Sequence, residues 1–122
     1  MARVLVVDDE GTVRDLVRLA LEHVNVDVVV AATTAEALRA IEAQEPDLIL
    51  TDLCRPEGPG PWLVEQVRAA APRALVVAFT GAMGVDAADY CGPSRLDGYI
   101  RKPCSISDFV ACVRAFLLQP KR

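Results

Sequence analysis

Val4-Leu5-Val6-Val7 is an unbroken apolar run held between Arg3 and Asp8. A continuous β-branched run of this kind is the pattern of a parallel strand covered on both faces. From Thr12 to Val24 the period changes. Val13, Leu16, Val17, Ala20, Leu21 and Val24 recur at the three- and four-residue spacing of one amphipathic stripe, which predicts a helix. Val26 to Ala31 returns to strand. Thr33, with Glu36 three residues on, is a capping-box signature and opens a helix that turns Ala37, Leu38 and Ile41 inward. Pro46 stops that helix, and Asp47 to Thr51 is a third strand running into Asp52.

Arg55 to Pro61, rich in proline and glycine, reads as a loop, with Pro61 suited to the first position of the next helix. Leu63, Val64, Val67 and Ala70 make that helix's stripe until Pro72. Ala74 to Phe79 is a fourth strand ending at Thr80, and Gly98-Tyr99-Ile100-Arg101 is a weak fifth. Ser105 to Leu118 is a last helix, capped by Ser105 or Ser107, with Ile106, Phe109, Val110, Val113, Phe116 and Leu117 facing inward. Between Thr80 and Asp97 the glycines and Pro93 leave only Val85 to Cys91 for a helix, so a fourth one is expected to be short or frayed. Regular alternation of strand and helix argues for an α/β fold: one parallel sheet with helices on both sides.

Length sets the scale of this picture. At 122 residues the chain is expected to be one domain, 1–122, with no output domain in it. With 52% hydrophobic residues it can fill a core without disulfide or metal staples. The longest uncharged stretch, Ala74 to Val85, is too short to span a membrane, and Asp8, Asp9 and Glu10 cut short a signal-like start. A soluble, cytoplasmic protein with no membrane partner is expected. The net charge of −4, with no Lys/Arg block, argues against direct nucleic-acid binding. Cys54, Cys91, Cys104 and Cys112 have neither zinc nor thioredoxin spacing and read as reduced thiols.

In open α/β sheets, sites form beyond the C-terminal ends of the strands. Those ends carry Asp8 and Asp9, Asp52, Thr80 and Lys102 on four of the five strands. Three neighbouring carboxylates repel one another, and a divalent cation removes the conflict. An all-oxygen, carboxylate-rich site suits Mg²⁺. Lys102 offers a point charge for an anionic group and Thr80 a hydroxyl. Together they suit phosphoryl transfer, with Asp52 as the natural nucleophile because a carboxylate can form an acyl phosphate.

The ordered set Asp8-Asp9, Asp52, Thr80 and Lys102-Pro103 resembles the receiver domain of two-component response regulators across essentially the whole chain. Agreement extends to Val4–Glu10 (VLVVDDE), Asp47–Asp52 (DLILTD), Pro56, Gly60 and Asp97–Pro103 (DGYIRKP), and to intervals of 28 and 22 residues between Asp52, Thr80 and Lys102. The resemblance implies a flavodoxin-like doubly wound sheet of order 2-1-3-4-5. It implies that Asp52 is the phosphoacceptor, charged by a sensor histidine kinase or a histidine phosphotransfer protein. By the same resemblance Asp9 and Asp52 ligate Mg²⁺ directly, Asp8 acts largely through metal-bound water, and Cys54 contributes its backbone carbonyl. Lys102 neutralises a phosphoryl oxygen, Pro103 is the family's cis proline, and Thr80 and Tyr99 form the switch that alters binding to a downstream partner. Such a domain is a signalling phosphoacceptor that catalyses only its own phosphorylation and dephosphorylation.

Three features depart from the family's pattern. Arg55 stands where an apolar residue is usual, Arg95-Leu96 replace a common Gly-Ala, and Gly92-Pro93 break the fourth helix. His23 reads as a solvated helix-terminal residue, and Trp62 as packing. Competing readings are a receiver-like interaction module that is not phosphorylated, a flavodoxin-like cofactor binder, and an aspartyl-phosphate phosphatase. The cofactor reading requires a phosphate-friendly loop where Asp8-Asp9-Glu10 stand. The phosphatase reading requires an Asp two positions after the nucleophile, where Cys54 stands.

Overall fold

A computed structural model describes residues 1–22, 24–52, 54–55, 58–80, 96–101 and 105–119. Five strands, β1 (Ala2–Val7), β2 (Val26–Ala31), β3 (Leu48–Thr51), β4 (Leu75–Thr80) and β5 (Gly98–Arg101), pair in parallel in the spatial order 2-1-3-4-5. The register runs Val7 with Ala31 and Thr51, Thr51 with Ala78, and Thr80 with Arg101. Four helices accompany them among the described residues: α1 (Gly11–Ala20), α2 (Thr34–Ala43), α3 (Gly60–Ala70) and α4 (Ile106–Leu117). The expected helix within 85–91, the Gly92-Pro93 break and His23 lie outside the described residues.

Both faces of the sheet are covered, which is why its strands read as continuous apolar runs. Leu5, Val7, Ile49, Val76 and Ala78 point to one face and pack with Ala37 and Ile41 of α2 and Val64 and Val67 of α3. Val4, Val6, Leu48, Leu50, Val77 and Phe79 point to the other and pack with Val17 of α1, Leu21 just after it, and Phe109 and Val113 of α4. Leu96, one of the departures noted in sequence, is 1% exposed and fills space beside α3. The alternation of neighbouring residues between faces follows from the pleat. The Phe79 and Phe109 rings meet at 4.9 Å, tying the end of β4 to α4.

Local chemistry sets the boundaries. The Thr33 hydroxyl accepts from the Glu36 N–H at 3.2 Å, the N-cap half of the expected capping box, and donates to the Glu36 carboxylate at 3.3 Å in place of the reciprocal backbone bond. Ser105, not Ser107, caps α4 by accepting from Asp108 N–H at 3.1 Å. Other expectations need correction. Arg55–Pro61 is not wholly loop, because Cys54–Arg55 pairs antiparallel with Gly58–Pro59 and α3 begins at Gly60. Pro61 is therefore one residue inside the helix, still in the first turn where its missing N–H costs nothing. α1 stops at Ala20, short of Val24. Leu16 and Ile106 are half-exposed, and Ala71 in place of Ala70 completes the buried α3 side.

Gly98 marks a close approach of α4 to the sheet. A Cβ added there would stand 2.6 Å and 2.7 Å from Cζ and Cε1 of Phe116. Gly98→Ala should therefore destabilise the fold by about 1–3 kcal/mol, the usual cost of overpacking. Urea unfolding of Gly98→Ala with and without Phe116→Ala checks this. The second change should recover most of the loss, and strictly additive effects would reject the clash.

Candidate functional site

Asp8 and Asp52 each stand one residue beyond the end of a strand, on the neighbours β1 and β3. Backbone hydrogen bonds extend the sheet just far enough to hold them. Asp8 N–H donates to the Ala31 carbonyl at 3.0 Å, and Asp52 N–H donates to the Val7 carbonyl at 3.2 Å. Both side chains are buried, Asp8 at 2% and Asp52 at 7% exposure. The chain then turns sharply. Asp8 Oδ1 accepts from Glu10 N–H at 3.0 Å, and Glu10 becomes the N-cap residue of α1 without using its carboxylate as a cap.

That turn brings a third acid to the pair. One oxygen each from Asp8, Glu10 and Asp52 lie within 4.8 Å of one another. Two buried carboxylates and one exposed carboxylate this close repel strongly unless positive charge stands among them. Their hard oxygens and partly open mouth fit an Mg²⁺ ion that keeps several waters, so the donor set is compatible with the expected metal. Asp9 is exposed on the same turn and is not one of the three. Glu10 was the residue that sequence spacing passed over. Its signal was its place two residues after Asp8, where a tight turn folds back.

The remaining expected residues are placed as follows. Thr80 is the last residue of β4, and its backbone pairs with Arg101 at the same sheet edge that carries Asp52. Lys102 and Pro103 lie outside the described residues. Cys54 begins the short antiparallel ladder two residues after Asp52, so its backbone follows the site directly. Tyr99 sits on β5 beside Ala78, with 43% of its surface exposed. Arg14, on the first turns of α1, donates from Nη1 to the Asp8 carbonyl at 2.7 Å. Among the described residues no helix is long and apolar enough to cross a membrane.

Comparison with known proteins agrees with this fold. The family model of the response regulator receiver domain matches residues 4–114. The probable transcriptional regulatory protein TcrX of Mycobacterium tuberculosis is 30% identical over 93% of this chain and 49% of its own length. TrcR of the same organism, a transcriptional regulatory protein, is 31% identical over 94% of this chain and 45% of its own length. The chain thus spans about half the length of these curated relatives. A CheY-like receiver domain protein from Methanospirillum hungatei superposes with a TM-score of 0.86 at 28% identity, over 96% of this chain and 94% of that one. CheY4 of Vibrio cholerae, at 24% identity and a TM-score of 0.84 over 95% of this chain and 98% of that one, shares the fold.

Proposed function

The chain belongs to the response regulator receiver domain family, and from that premise we propose that Asp52 accepts a phosphoryl group from a phosphohistidine on a sensor kinase or phosphotransfer protein. An Asp52 carboxylate oxygen attacks phosphorus, the P–O bond forms, and the P–N bond to the donor imidazole breaks, leaving an acyl phosphate. Asp9 and Asp52 hold Mg²⁺ directly, Asp8 acts through water, the Cys54 carbonyl completes the protein's share, and Glu10 adds a further acid beside them. Bound Mg²⁺ supplies the positive charge that quenches carboxylate repulsion and screens the phosphoryl oxygens. Lys102, aimed by Pro103, neutralises one of those oxygens.

After transfer the Thr80 hydroxyl turns to the phosphoryl group, and the half-exposed Tyr99 ring moves inward on the neighbouring strand. A local charge change thereby biases a two-state surface read by a downstream partner. Residues 1–122 serve as the receiver, with the output carried by a partner or by sequence outside them. Receiver domains are signalling phosphoacceptors, and this chain's own catalysis is confined to gaining and losing its phosphate.

The observation that carries this reading is the meeting of buried Asp8 and Asp52 with Glu10 within 4.8 Å at the C-terminal edge of the parallel sheet. Incubation with Mg²⁺ and a small phosphodonor, followed by intact mass, tests it. One acid-stable, alkali-labile phosphate is expected, absent in EDTA and absent in Asp52→Asn. No incorporation across a range of donors would replace this reading with a receiver fold that binds partners without phosphorylation.

A further inference from the structure

Arg14 lies within a turn and a half of the acid cluster, yet among the described residues it forms no ion pair. Its Nη1 donates instead to a backbone oxygen, the Asp8 carbonyl, at 2.7 Å. The contact spans six residues and closes the β1–α1 turn from the helix side. Asp8 is thereby held at three points: its N–H by Ala31, its carboxylate by Glu10 N–H, and its carbonyl by Arg14. A Cβ at Gly11 would stand 3.4 Å from Arg14 Nη2, an ordinary van der Waals contact, so the guanidinium lies over the first residue of α1.

We propose that Arg14 is a positioning residue of the phosphorylation site, fixing the turn that carries Asp8 and Glu10 so that their oxygens converge with Asp52 on one cation. This rests on the magnesium reading above. The guanidinium donates in a rigid plane, which suits it to fixing a carbonyl's direction. It acts on ligands through the backbone, as the outer partners of metal ligands generally do. Position and charge make opposite predictions here. Removing a cation from beside three acids would tighten binding of a divalent ion if charge alone mattered. Loosening the turn weakens it.

The test is a Mg²⁺ titration of the native chain, Arg14→Met and Asp52→Asn, followed by backbone amide NMR shifts. Thermal unfolding in EDTA is recorded for each. Arg14→Met should bind Mg²⁺ about tenfold more weakly than the native chain, the lower end of the usual effect of losing an outer-shell partner. Equal or tighter binding would overturn the proposal, including where Arg14→Met has lost only thermal stability. Should Arg14→Met fail to fold, Arg14→Gln, which keeps a polar end but no charge, reads the same sign. A native chain without saturable shifts that Asp52→Asn removes would instead overturn the magnesium reading itself, whatever Arg14→Met does.

Discussion

Asp97→Ala should cost the fold about 3 kcal/mol and lower its thermal midpoint by roughly 10 °C. Asp97 Oδ2 accepts from the Val76 N–H at 2.8 Å and from Arg68 Nη2 at 3.3 Å, and both ionic side chains are only 13% exposed. The Asp97 N–H returns a bond to the Val76 carbonyl at 2.8 Å, so one residue is stitched to β4 by main chain and side chain together. Alanine would take this carboxylate from beside the Arg68 cation and leave a buried strand N–H without its acceptor, and a buried donor left unmade costs more than the bond itself yields. Asp97→Asn keeps an acceptor for Val76 and loses only charge, so about half the loss is expected. Urea unfolding of the two variants measures both, and a loss below about 0.5 kcal/mol for alanine would refute the role assigned to the pair. The effect reaches the site because Asp97 leads straight into the strand that bears Tyr99.

Asp52→Asn should do the reverse in the absence of metal: raise stability while abolishing function. Two buried carboxylates with oxygens no more than 4.8 Å apart repel by roughly 3 kcal/mol at an effective dielectric near 20. Asparagine keeps the shape and hydrogen-bonding capacity of the side chain, but other partners of the Asp52 charge are lost with it. A net gain of about 1–2 kcal/mol in EDTA is therefore expected. Mg²⁺ should invert the ranking. The native chain gains about 2.7 kcal/mol at a hundredfold excess over its dissociation constant, and the variant gains little. Thermal scans in EDTA and in saturating Mg²⁺ show whether the two curves cross. A variant less stable than the native chain in EDTA, or one that gains as much from Mg²⁺, would mean the acids are not in the conflict proposed.

Much of this architecture was legible in the sequence because each strand is covered on both sides and each helix on one. β2 and β5 fall at Val26–Ala31 and Gly98–Arg101 as read, and Thr33 with Glu36 marks its helix start by hydrogen bonds local in sequence. What was missed depends on direction or on distance along the chain. An apolar residue at helical spacing can sit on the rim of the buried arc, as Leu16 and Ile106 do. Proline and glycine between Arg55 and Pro61 signal turns but cannot announce that Cys54–Arg55 pairs with Gly58–Pro59. The Arg68–Asp97 pair joins residues 29 apart, and nothing local to either identifies the other. At the site, Asp8 and Asp52 were readable as strand-end acids. Glu10 and Arg14 were not, because one reaches the cluster by a turn and the other grips a carbonyl, which has no sequence signature.

The sheet's backbone keeps the α2–α3 side and the α1–α4 side from sharing partners in their interiors. Mutational effects on opposite sides should then simply add, within about 0.3–0.5 kcal/mol. Drift on the α1–α4 side can accumulate without forcing compensation behind α2 and α3. One half of such a molecule is free to diversify between paralogues while the other stays as ballast.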